Sequence, residues 1–306
     1  MRSALTPVAA LSAGLLLAAC GSAADEPAGG AAPATSAQTS TASDPTPTED
    51  AGSSGAYLAL GDSLAAGYQP GGTELRETAY PALAADRLAR DGTDLTVENL
   101  GCSGETSGTL LEGGKCSFEA GSQLAQAEEF LEENAGEVRL VTIDIGGNDL
   151  LRCATRELTV DEDCVTRGLR SVRANLPDAL ERITAAAGDD VPILVLGYYN
   201  PWLASGFLGE GQDQLAEAAD AFTRLDAAIE KAATAGGATY VSLDEAFALD
   251  DDSPTEFGGR TVPRNVAQVC SLTYTCTAGD IHLTEEGAAT VARVLAESAT
   301  RAGVGG

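Results

Sequence analysis

The sequence predicts an α/β fold: a three-layer α/β/α sandwich on a five-stranded parallel sheet. Apolar runs of strand length alternate with amphipathic stretches of helix length, which is the pattern of a parallel sheet covered by helices. Several of those runs are almost continuously hydrophobic, as strands buried on both faces require. Residues 56–306 form a length compatible with one domain and a full core.

The chain opens outside that fold. Residues 1–19 read as a signal peptide, with Met1-Arg2 as a minimal basic start and Val8 to Ala19 as an apolar core too short to span a bilayer. No later run is apolar and long enough for a membrane helix, so the remainder is expected in water. Leu17-Ala18-Ala19-Cys20 resembles the lipobox of bacterial lipoproteins, where the cysteine becomes the lipidated first residue. An ordinary secretory cleavage site is the alternative. Cysteine parity favours Cys20 as the lipidated residue, because setting it aside from the 7 cysteines leaves an even number suited to disulfides in an exported protein. Residues 20–55 follow as the anchor cysteine and a disordered tether. From Gly21 on they are rich in Ala, Ser, Thr, Gly and Pro and hold no aromatic or long aliphatic side chain, so they bury too little surface to offset ordering entropy.

Tyr57 to Leu60 starts the sheet, and Leu95 to Asn99 follows as the second strand. Val138 to Ile145 is the strongest, and Val191 to Leu196 and Thr239 to Leu243 complete the five. Helices are expected over Tyr80 to Arg90, Gln123 to Asn134, Val165 to Ala187, Gln212 to Ala235 and Thr284 to Thr300. Thr284 before Glu285-Glu286 is a plausible N-cap with acidic residues in the first turn. Asn200 to Gly211 and Asp250 to Ser271 read as surface excursions. The other cysteines fall in close pairs, Cys102 with Cys116, Cys153 with Cys164 and Cys270 with Cys276. Sequence does not fix their connectivity, but local pairing is the simplest choice. Each bridge would contribute on the order of 2–3 kcal/mol. They serve either to hold site loops or simply to stabilise an exported domain.

Ser63, Gly101 and Asn148 lie within a few residues of the ends of the first three strands, and the single histidine, His282, lies near the end of the chain. In parallel α/β sheets such strand ends meet on one edge, where ligands bind. A serine, a glycine N–H, an asparagine amide and a histidine supply a nucleophile, oxyanion donors and a base, the set that ester hydrolysis by acyl transfer requires. A serine hydroxyl near neutral pH needs a base, and imidazole titrates there. Each motif alone has a bland reading as a turn or a surface residue. In order, and after the right elements, they are specific.

Here the chain resembles the SGNH, or GDSL, hydrolase family. The matching pieces are Gly61-Asp62-Ser63-Leu64, Asn99-Leu100-Gly101-Cys102-Ser103-Gly104, Gly146-Gly147-Asn148-Asp149 and Asp280-Ile281-His282-Leu283-Thr284. It is most similar to secreted actinobacterial esterases and lipases of that family, which also carry three disulfides. The resemblance implies a flavodoxin-like sheet and a serine esterase or lipase. It implies Ser63 as nucleophile and His282 as base. The oxyanion hole would be the Ser63 and Gly101 N–H groups with the Asn148 amide. One position departs from the family: the aspartate usually three residues before the histidine is Gly279 here. Three readings fit: Asp280 reaches the imidazole by a local backbone adjustment, the Gly279 carbonyl orients it instead, or the pair works as a dyad. Asp280 is slightly favoured.

Other site types fit poorly. One histidine and cysteines expected in disulfides leave little for zinc, and no cofactor is expected. Gly101-Cys102-Ser103-Gly104-Glu105 fails the Gly-x-Ser-x-Gly elbow at its last position, and Gly114-Lys115-Cys116 fails a phosphate-binding loop. A formal charge of −28 disfavours nucleic acid and anionic lipid surfaces, and points to small neutral esters or lipids. The membrane would be met only through the lipid anchor, and a monomer is expected. The aromatic stretch Tyr198 to Leu203 either walls the substrate pocket, with Trp202 as a candidate contact, or covers the core. A non-catalytic cell-surface binding lipoprotein on the same scaffold is the alternative function. Within the enzyme class, phospholipase and acetyl-sugar esterase activities stay open beside esterase and lipase.

Overall fold

The computed structural model describes residues 53–154, 159–204, 207 and 212–305. The signal segment, Cys20 and the tether up to residue 52 lie outside those residues. The described chain begins with β1 (Ser53–Gly61), α1 (Ser63–Ala66), α2 (Tyr80–Arg90), β2 (Thr93–Asn99), α3 (Ser107–Glu112) and α4 (Gln123–Glu133). It continues through β3 (Val138–Asp144), α5 (Gly147–Leu151), α6 (Glu162–Ala187), β4 (Ile193–Leu196), α7 (Gln212–Ala235) and β5 (Thr239–Val241). The last stretch holds α8 (Asp244–Phe247), α9 (Arg264–Leu272), α10 (Thr275–Ala278) and α11 (Glu285–Arg301). Two small antiparallel ribbons, Tyr68–Gln69 with Thr73–Glu74 and Pro254–Phe257 with Arg260–Pro263, lie outside the main sheet.

The five strands pair in parallel in the order β2-β1-β3-β4-β5. Successive side chains of a strand point to opposite faces, and here both faces are apolar. Leu58, Leu60, Val141, Ile143 and Val195 pack with α4, α6 and α7 on one side. Tyr57, Ala59, Leu140, Leu194 and Val241 pack with α2, α9 and α11 on the other. That double burial explains the continuous hydrophobic runs and gives the three layers. β1 lies between β2 and β3, so the strand order reverses at β1, and a crevice opens beyond the carboxyl ends of β1 and β3.

The expected helices are present, and Thr284 caps α11 by accepting from Gly287 N at 3.1 Å. The expectation of a surface excursion over Asp250 to Ser271 is corrected. Most of its second half is α9, whose Val266, Val269 and Cys270 are buried in the core. No helix among the described residues is long and apolar enough to cross a membrane.

Candidate active site

β1 ends at Gly61, and Asp62 turns the chain into α1. The Asp62 carboxylate caps that short helix, accepting from Leu64 N at 3.0 Å. Gly61 is required there: its φ is 145°, and a Cβ would come within 2.2 Å of Asp144 Oδ1. Ser63 therefore leaves the turn at the carboxyl edge of the sheet, half-buried.

The histidine arrives from the other end of the chain. The Cys270–Cys276 disulfide ties α9 to α10, and Thr273 pairs with Leu283 in an antiparallel bridge. Tyr274 N donates to the His282 carbonyl at 2.9 Å. The loop closed in this way places His282 Nε2 at 2.8 Å from Ser63 Oγ. On the other side of the ring, Nδ1 lies 2.5 Å from Asp280 Oδ1. The same oxygen accepts from His282 N at 2.9 Å, so a local side-chain turn lets an aspartate two residues away reach the imidazole. Among the described residues, Asp280 is the partner of Nδ1. Tyr68 packs on the imidazole with ring centroids 4.3 Å apart, and Tyr199 Oη donates to the Ile281 carbonyl at 2.5 Å.

Gly101 and Asn148 both sit against the serine turn. A Cβ on Gly101 would meet Ala66 N at 2.6 Å and Ala65 C at 2.9 Å, so only glycine allows this approach. Its N–H donates to Asn99 Oδ1 at 2.9 Å, while Asn99 Nδ2 donates to the Ala65 carbonyl at 2.7 Å. Asn148 Nδ2 donates to the Glu105 carbonyl at 2.9 Å and to Asp62 Oδ2 at 3.2 Å. Asp149 receives Ser107 N and Ser107 Oγ, each at 2.8 Å, which ties α5 to α3. Burial pushes the Asp149 and Glu105 carboxyls above their ordinary range.

The cysteines pair locally as expected: Cys102–Cys116, Cys153–Cys164 and Cys270–Cys276. The expectation for Trp202 is corrected. It is 8% exposed and packs edge-on to Phe222 in the core, covering rather than lining. Its neighbours line the cleft instead. A depression of about 310 Å³ beside Ser63 and His282 is walled by Leu151, Tyr198, Tyr199, Pro201, Phe222 and Ile281. A second, of about 250 Å³, adjoins the same serine and histidine and includes Tyr68, Gln69, Thr78 and Leu283. Sequence reasoning missed Asp144 and Tyr80 beneath the turn and Asn99 beside it. Asn99 stood in a quoted motif, while Asp144 and Tyr80 carry no local signal. Tyr198 stood in the aromatic stretch read as a pocket wall or core cover, but its bond to Asp62 was not foreseen. Among the described residues, no group of three or more His, Cys, Asp or Glu side chains is placed to hold a metal ion.

Comparison with known proteins bears on this geometry. The model of the GDSL-like Lipase/Acylhydrolase family matches residues 59–290. An arylesterase of Vibrio mimicus is 37% identical over 95 residues, which are 31% of this chain and 38% of that protein. The match therefore spans well under half of that relative. The crystal structure of an extracellular lipase from Streptomyces rimosus is 21% identical, with a TM-score of 0.52 over 80% of this chain and 99% of that one. That likeness shows a common fold. With the family model spanning the sheet, the serine turn and the histidine loop, the chain belongs to the GDSL-like lipase/acylhydrolase family.

Proposed function

We propose that the protein is a serine hydrolase of carboxylic esters. Ser63 Oγ attacks the ester carbonyl while His282 Nε2 takes its proton, and Asp280 holds the ring and stabilises the imidazolium. His282 then gives the proton to the leaving alcohol, and water enters the acyl-enzyme by the same route in reverse. The Ser63 and Gly101 N–H groups and the Asn148 amide receive the oxyanion. Asn148 Nδ2 and Gly101 N–H already have protein acceptors, so the oxyanion would take over the 3.2 Å contact of Asn148 to Asp62 and the 2.9 Å contact of Gly101 N–H to Asn99 Oδ1. The observation that carries the reading is the continuous series Ser63 Oγ, His282 Nε2, His282 Nδ1, Asp280 Oδ1, with contacts of 2.8 and 2.5 Å.

The two depressions suit an acyl group on one side of the serine and an alcohol on the other. The aromatic and aliphatic walls of the first favour an uncharged substrate, as does the net charge of −28. The arylesterase relative makes aryl esters the first substrates to try. An active-site phosphonate should label the wild type and fail on Ser63→Ala; labelling that persists in the variant sinks the assignment. A chromogenic ester series of rising acyl length, run with an acetylated glycan, then assigns the substrate class. We propose further that residues 1–19 are removed as a signal peptide, that Cys20 is lipidated, and that the tether presents the hydrolase domain outside the cell membrane.

A further inference from the structure

The Ser63 turn rests on two acidic side chains with no cation beside them. Asp62 is 2% exposed and Asp144 is fully buried. The register of β1 and β3 sets Gly61 opposite Asp144, and Asp62 N donates to Asp144 Oδ2 at 3.2 Å. Both carboxyl groups are thus buried at the same turn, and burial pushes each above its ordinary range. Among the described residues, neither forms an ion pair with lysine or arginine. Asp62 accepts from Leu64 N, from Tyr198 Oη at 2.7 Å and from Asn148 Nδ2. Asp144 accepts from Tyr80 Oη at 2.6 Å. The titratable groups facing the pair are Tyr57 from β1, Tyr80 from α2, Glu105 after β2, Tyr198 and Tyr199 after β4, and His282 before α11. Asp280 acts on the same cluster through Tyr199. Of these, His282 alone can become a cation.

We propose that Asp62 and Asp144 hold one proton between them, carried by Asp144, and that this bridged pair positions the Ser63 turn and the Asn148 amide. The second half rests on the catalytic reading of Ser63 and Asn148 given above; the first does not. Two carboxyl groups buried at one turn, with no lysine or arginine paired to either among the described residues, disfavour double ionisation. Burial, with the Asp62 charge second, holds the Asp144 carboxyl well above the ordinary carboxylate range. Asp62, with three donors aimed at it, is the anionic partner. The shared proton turns the facing acids into a clamp, and the Asp62 oxygens it orients fix Leu64 N and the Asn148 amide on either side of Ser63.

The proton gives the test. An unfolded chain loses it above about pH 4, whereas the native pair keeps it. The native state therefore binds more protons, and stability falls as pH rises from that point to the raised value of the pair. Asp144→Asn keeps the shape, donates through Nδ2 and has nothing to titrate. Relative to that variant, the wild-type unfolding constant should grow by up to tenfold per pH unit as pH rises above about pH 4, read by urea unfolding. A ratio that stays flat overturns the shared proton. Turnover reads the positioning role. Asp144→Ala should lose kcat with KM little changed, and Asp144→Asn should restore most of it; equal losses in the two overturn that role. Should neither variant fold, the infrared spectrum recorded just above the ordinary carboxylate range decides, the wild type beside Asp62→Asn. A protonated-carboxyl band that shifts in that variant supports the proposal, and an absent or unshifted band overturns it. Ser63→Ala should leave the pH dependence of stability intact, so a failed hydrolase assignment and a failed carboxyl pair give different results.

Discussion

At the scale of single residues, the site turns on how Asp280 reaches His282. The spacing of two residues works because one carboxylate oxygen takes both the backbone N–H and Nδ1 of the histidine. Under the proposed mechanism, Asp280→Ala removes the group that fixes the ring tautomer and steadies the imidazolium. It should cut kcat by about 100-fold or more and leave KM nearly unchanged. A variant with near-full turnover would transfer the orienting role to the Gly279 carbonyl. Ser63, Gly101, Asn148, His282 and Asp280 were legible because each stands in a short motif at an element boundary. Asp144 was not. A lone aspartate closing the run Val138 to Ile145 looks like an ordinary strand end, and only the register of β1 with β3 reveals what it touches. Tyr80 is equally silent, since it reaches the pair from α2, and Tyr198 was noticed only as part of an aromatic stretch, its bond to Asp62 unannounced.

Among the elements, the long amphipathic helices could be read nearly to the residue, because several turns of apolar periodicity leave little freedom. The short ones could not. α1, α3 and α5 hold four to six residues, too few for a period to show, and they exist because caps and tertiary contacts hold them. α9 was hidden for another reason: Pro254, Gly258-Gly259 and Pro263 precede it and read as breakers, although they only shape the ribbon that leads in. The close approach of Gly101 to α1 makes a prediction at this scale. In Gly101→Ala the new methyl meets backbone atoms of Ala65 and Ala66, which cannot swing away as a side chain would. α1 must shift and carry Ser63 with it. We expect a loss of roughly 1–3 kcal/mol in urea unfolding and a slower reaction with the phosphonate. Wild-type values for both would mean that the serine turn tolerates more movement than its packing suggests.

For the molecule as a whole, three local disulfides secure the loops after β2 and α5 and the loop before α11, while the sheet and its two apolar faces supply the core. Such bridges are at home in an oxidising compartment, which agrees with export. The proposed anchor is tested at this scale. Cys20→Ser should abolish incorporation of labelled fatty acid and move the esterase from the membrane fraction to the medium, since the variant removes the acyl chain proposed to hold it on lipid. Activity that stays with membranes in that variant would exclude the lipoprotein reading. The fold also joins parts of the chain made at different times. The serine and the histidine are separated by 219 positions in sequence, yet their side chains meet at 2.8 Å. A ribosome that has already released Ser63 must add all of those positions before His282 exists, so a partly made chain holds the serine turn without the imidazole that the proposed mechanism requires.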